Sequence, residues 1–135
     1  MNAVFVDTGY WIALINPKDQ WHSTAAEIKE RHGNARLVTS DGVLTEVLNY
    51  FSAYGGTTRE TAATIVLDIL TDQTIQTVPQ TRELMLKGIS LYQSRLDKAY
   101  SLTDCISMVA MREHGITSTF TTDVHFTQEG FTIIR

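Results

Sequence analysis

The sequence predicts an α/β fold with a mainly parallel sheet and helices on both faces. Two observations predict it: short apolar runs of strand type are separated by helical stretches, and no tight hairpin is signalled until the very end of the chain. The 135 residues, 43% of them hydrophobic, suit one domain over residues 1–135 with a substantial core.

Ala3-Val4-Phe5-Val6 is a continuous apolar run ending in Asp-Thr-Gly, which reads as a buried strand passing into a turn or helix start. Tyr10 to Ile15 reads as a helix stopped by Asn16-Pro17, and Ser23 to Arg31 as another with Gly33-Asn34 behind it. Leu37-Val38-Thr39 is a second strand. Asp41-Gly42 opens a helix to about Tyr54, closed by Gly55-Gly56, and a further helix covers about Thr58 to Leu70. Thr74 to Val78 alternates as a strand does until Pro79 ends it. Helices follow from Thr81 to about Leu96 and from about Leu102 to His114, the latter closed by Gly115. Ile116 to Thr122 and Phe131 to Ile134 read as the last two strands.

Cys105 is the lone cysteine, so neither an intramolecular disulfide nor a cysteine-based zinc site is available, and a reducing cytoplasmic location is expected. The first apolar run is broken by Asp7 and lacks a basic flank, which fits neither a signal peptide nor a membrane span. Fifteen acidic against eleven basic residues give a net charge of −4, against binding of phosphate by a broad basic face. Bound cations would cancel that charge locally and let a phosphate approach.

Four acids stand at element ends or on the border of an apolar stripe: Asp7, Glu46, Asp104 and Asp123. Two carboxylates about 4 Å apart at a surface repel by roughly 4 kcal/mol, so such a set in one cleft calls for a cation. Each has an ordinary reading as well. Glu46 borders the stripe of Val43, Leu44, Val47, Leu48, Tyr50, Phe51 and Tyr54, where a glutamate is commonly solvated. Ser101-Leu102-Thr103-Asp104 matches a capping box, and Asp7 and Asp123 suit turns after strands. In open parallel sheets, sites form at the carboxyl ends of strands, where Asp7 and Asp123 fall.

Taken in order, Phe5-Val6-Asp7-Thr8-Gly9, Leu44-Thr45-Glu46-Val47-Leu48-Asn49, Tyr100 to Ser107 and Thr121-Thr122-Asp123-Val124-His125-Phe126 resemble the PIN-domain ribonucleases. Within that family the chain is most similar to the VapC-like toxins of VapBC-type toxin–antitoxin pairs. The resemblance spans essentially the whole chain, and the four motifs are specific only together.

It implies a Rossmann-like three-layer α/β/α sandwich and an endoribonuclease that cuts single-stranded regions of RNA. By position, Asp7, Glu46, Asp104 and Asp123 are the expected catalytic and metal-binding residues, with Thr8 and Thr122 in support. Asp97 falls where the family often has a further acid, in a supporting role or a solvated loop. Hard oxygen donors without a suitably spaced histidine pair favour Mg²⁺ or Mn²⁺ over Zn²⁺. Such a cation acidifies water for in-line attack on phosphorus and neutralises charge at the leaving oxygen, so no side-chain nucleophile is needed. The resemblance also implies a homodimer and a cognate antitoxin lying over apolar helices, with Trp11, Ile12 and Ile15 expected on that surface.

Other features carry less. His125 either touches substrate phosphate or caps a turn; His22, His32 and His114 lack metal-site spacing. Trp11 and Trp21 are read as packing or interface residues, with base stacking the alternative. Cys105 reads as a small buried hydrophobe. Lys87, Arg95, Lys98 and Arg112 are scattered and name no phosphate-steering group. The competing functions are a non-toxin PIN nuclease in RNA processing, a catalytically inactive PIN-like interaction module, and an aspartate phosphoacceptor. The last is disfavoured because Thr8-Gly9 lacks the second aspartate that haloacid-dehalogenase-like sites carry.

Overall fold

Strand order places the candidate site. The computed structural model describes residues 3–135. Its strands are Ala3–Val6 (β1), Arg36–Ser40 (β2), Ile75–Val78 (β3), Ser118–Phe120 (β4) and Thr132–Ile133 (β5). They form one sheet in the order β3-β2-β1-β4-β5, with every neighbouring pair parallel. The chain winds outward from β1 in one direction through β2 and β3, then in the other through β4 and β5. The order therefore reverses between β1 and β4, the kind of switch point past whose carboxyl ends open α/β sheets form their sites. The expected three-layer α/β/α sandwich is the fold observed, with seven helices among the described residues: α1 Thr8–Ile15, α2 His22–Arg31, α3 Asp41–Phe51, α4 Gly56–Thr71, α5 Arg82–Ser94, α6 Leu102–Glu113 and α7 His125–Gln128.

Local chemistry sets the helix ends. The Ser40 hydroxyl accepts from the Val43 amide to start α3, and Thr81 accepts from Leu84 to start α5. Gly115, at φ +66, turns the chain out of α6 in the left-handed region that other residues avoid. Val43, Leu44, Val47 and Phe51 bury the inner stripe of α3. Tyr50 and Tyr54, expected on the same stripe, are exposed, their hydroxyls 2.9 Å apart.

The core runs through both faces of the sheet, with Phe5, Val6, Val38, Phe51, Met108, Met111, Phe120 and Phe126 nearly inaccessible. Trp11 and Ile12 belong to it at 6% and 7% exposure, which corrects their expected place on a partner surface. The Trp11 indole donates to the Thr39 hydroxyl at 3.1 Å, which donates in turn to the Val6 carbonyl, so an inward-facing Trp satisfies its polar atom within the core. Cys105 is fully buried, as expected of a small hydrophobe.

The end of the chain departs from expectation. No terminal hairpin forms: β5 lies parallel to β4, with Ser118 opposite Thr132, and α7 lies between them. A four-residue helix is too short to register as a periodic pattern. Among the described residues, no helix is long and apolar enough to cross a membrane.

Helices α5 and α6 pack so closely at Gly88 that a Cβ there would sit 3.2 Å from Ile106 Cα and collide with its side chain. Gly88→Ala should therefore lower stability by about 1–3 kcal/mol, read as a fall in the urea midpoint with an unchanged slope.

Candidate metal centre

Asp7 leaves β1 at the switch point, where its amide donates to the Phe120 carbonyl at 3.0 Å and ties the ends of β1 and β4 together. It precedes α1 without capping it by its side chain. The carboxylate instead accepts from the Thr121 hydroxyl at 2.7 Å. The same hydroxyl accepts from the Asp123 amide at 3.0 Å, so Thr121 joins two of the acids. Asp7 is 7% exposed, and burial pushes its carboxyl up to about 6. The Thr121 hydroxyl and the Thr8 backbone oppose that rise, while the charges of Asp104 and Asp123 reinforce it.

Asp104 does two things. It completes a capping box at the start of α6, with Ser101 accepting from the Asp104 amide and Asp104 Oδ2 accepting from the Ser101 amide, each at 3.0 Å. Its side chain is nevertheless only 14% exposed. Burial raises its carboxyl, the Ser101 backbone opposes that, and the Asp123 charge adds to it. Asp123 is 32% exposed and accepts from the His125 amide at 2.9 Å, the expected turn chemistry. Thus the ordinary and the functional readings of both acids are compatible.

His125 Nδ1 lies 3.1 Å from Asp123 Oδ1 and 3.6 Å from Asp104 Oδ2. Donor atoms of Asp104, Asp123 and His125 fall within 4.8 Å of one another. Asp7 stands behind this group, close enough for both aspartate charges to act on it. Glu46 is half-buried on α3 and joins through a relay, accepting from the Thr8 hydroxyl at 2.6 Å.

The expected supporting threonines divide. Thr8 holds Glu46, whereas Thr122 is exposed and faces Gly9, where an added Cβ would lie 2.9 Å from its hydroxyl. Thr121, one residue upstream, makes the contacts with the acids. Sequence gave no means of choosing between adjacent threonines, because β4 is buried on both faces and alternation marks neither. Asp97 lies on a solvated loop, 3.6 Å from Lys98.

The scattered basic residues are committed elsewhere. Arg95 and Arg112 both pair with Glu129, which also accepts from the Tyr100 hydroxyl at 3.2 Å. Lys87 pairs with Glu83 and Glu113. The acids at the crevice therefore face one another without the compensation that those cations would give. The His125 Nδ1 atom is sealed from solvent and out of line for a hydrogen bond. Crowded carboxylates beside an orphaned nitrogen fit a divalent cation.

Comparisons with known proteins bear on the family and the fold. A PIN domain profile matches residues 4–130. Over 132 residues, 98% of each chain, the sequence is 27% identical to the 23S rRNA-specific endonuclease VapC20 of Mycobacterium tuberculosis, in strains CDC 1551 and H37Rv. The crystal structure of that species' VapC20, described as a Sarcin-Ricin loop cleaving toxin, superposes with a TM-score of 0.87 at 28% identity, covering 98% of this chain and 99% of that one. FitAcB from Neisseria gonorrhoeae superposes with a TM-score of 0.68 over 98% and 96% of the two chains, and at 10% identity the likeness is one of fold.

The clamp on Glu129 makes acid stability testable. Its side chain is 5% exposed, and the two guanidinium partners hold its carboxyl down at about 2. The folded chain keeps this charge down to about pH 2, while an unfolded glutamate protonates near pH 4.3. The contribution is complete above the unfolded value and is lost as pH falls through about 2. Unfolding free energies from urea titrations followed from pH 5 to 2 should fall for the wild type by on the order of 1–3 kcal/mol more than for Glu129→Gln.

Proposed function

This chain belongs to the PIN domain family, and on that premise we propose that it is a VapC-like toxin: a divalent-metal-dependent endoribonuclease that hydrolyses phosphodiester bonds in single-stranded regions of RNA. The observation that carries the reading is the convergence of Asp104, Asp123 and His125 donors beside the buried Asp7, past the ends of β1 and β4. The end-to-end likeness to a 23S rRNA-specific endonuclease supports the substrate class and makes an exposed ribosomal RNA loop the first target to test.

Asp7, Glu46, Asp104 and Asp123 would hold Mg²⁺ or Mn²⁺. When bound, the cation supplies the charge that acidifies water and offsets the negative charge growing on the phosphate. Thr121 holds the Asp7 carboxylate in one orientation and fixes the Asp123 backbone, so neither acid has to reorganise as substrate arrives. Thr8 does the same for Glu46. Exposure rises from Asp7 through Asp104 to Asp123, which makes the Asp123 and His125 side the approach for RNA. Unpaired RNA offers phosphates and base edges there without a second strand in the way.

A cognate antitoxin is the partner of this reading. The open groove of about 790 Å³ bordered by Ile15, Pro17, Tyr50 and Tyr54 takes the place of the buried Trp11 and Ile12 as its seat. Leu67 and Leu70, exposed on α4, suit a homodimer contact. The whole chain, residues 1–135, acts as one domain in the cytoplasm, where the lone Cys105 stays reduced.

Asp7→Asn keeps the shape but removes a buried charge. Purified Asp7→Asn should cleave an RNA substrate at least about 100-fold more slowly than the wild type and no longer arrest growth when expressed. Cleavage at the wild-type rate by the pure variant would remove the reading.

A further inference from the structure

The acids account for oxygen donors at the crevice, but His125 introduces a different element. Its Nδ1 is cut off from solvent, and neither carboxylate near it is aligned to accept or share a proton. A buried polar nitrogen left without a partner costs roughly 1–3 kcal/mol, so a fold that keeps one has a use for it or fills it.

The ring is held in place from several sides. The His125 amide donates to Asp123 Oδ1 at 2.9 Å, which fixes the backbone relative to the acid. Tyr100, 5% exposed, lies against the imidazole with ring centroids 5.4 Å apart. The Tyr100 hydroxyl is anchored on Glu129, which Arg95 and Arg112 hold from α5 and α6. The imidazole is thus held beside Asp104 and Asp123 by a built support.

We infer that His125 Nδ1 is itself a ligand of the bound cation, and that this nitrogen biases the site toward Mn²⁺ over Mg²⁺. The inference rests on the metal-dependent reading above and specifies the chemistry of its cofactor. Carboxylate and water oxygens serve the two ions alike, whereas Mg²⁺ gains little from imidazole and first-row transition ions accept it. One nitrogen among several oxygens falls short of the donor sets that favour Zn²⁺. The other histidines are engaged elsewhere: His22 Nδ1 with the Ala13 carbonyl, His114 Nδ1 with the Ala110 carbonyl and His32 Nε2 with the Arg135 carbonyl.

The test binds Mn²⁺ to the purified chain and reads nitrogen coupling by pulsed electron paramagnetic resonance, with calorimetric titration of Mn²⁺ and Mg²⁺ alongside. The wild type should show ¹⁴N modulation that changes on labelling with ¹⁵N-histidine and vanishes in His125→Ala. That variant should bind Mn²⁺ about 10-fold or more weakly, while its Mg²⁺ affinity moves less than about threefold. The labelled wild type decides the matter even where the variant folds poorly. Saturable Mn²⁺ binding without nitrogen coupling would overturn the inference alone. Equal losses for both cations would overturn the selectivity, and absence of saturable binding would overturn the metal-dependent reading along with it.

Discussion

Repulsion among carboxylates that the backbone forces together is the constraint around which this molecule is organised. A parallel sheet whose order reverses between β1 and β4 delivers Asp7 and Asp123 to the same crevice, and the start of α6 brings Asp104 against them. Left in water, these groups would separate. Inside the fold they are pinned by a hydroxyl, a capping box and an Asx turn, and burial raises the Asp7 and Asp104 carboxyls, with the neighbouring acid charges adding to the rise. The rigidity of that arrangement is what suits it to a cation and a phosphate.

Rigidity comes from the layers around the crevice. The Asp7 amide extends the β1–β4 ladder by one bond, so the acid sits on the sheet rather than on a loose connection. Tyr100, Glu129, Arg95 and Arg112 form a second brace that joins the end of α5, α6 and the turn after α7, with both guanidinium groups paired to Glu129.

Much of this was legible in the sequence. Alternation of strand runs and helical stretches identified the parallel sandwich, and the four acids stood out only as a set, since each alone had an ordinary turn, capping or surface reading. What periodicity could not supply was direction. Trp11 and Ile12 looked like a partner surface because α1 is apolar throughout, and only the Thr39 hydroxyl below them shows that the Trp11 edge points inward. Thr121 and Thr122 are chemically alike, and the bond to Asp7 that separates them spans most of the chain. Glu129 gave no signal, since its partners come from two other helices. The single turn of α7 carries no periodic signal, so the parallel pairing of the last two strands is not legible in the sequence.

Asp104 closes the start of α6 with the same carboxylate that it turns toward the crevice. A lineage that no longer needed the chemistry would still forfeit about 1 kcal/mol of helix start by discarding this acid. Purifying selection for folding alone would then preserve part of the reactive apparatus, and retention of an acid at this position in a relative is a weak guide to whether that relative still acts.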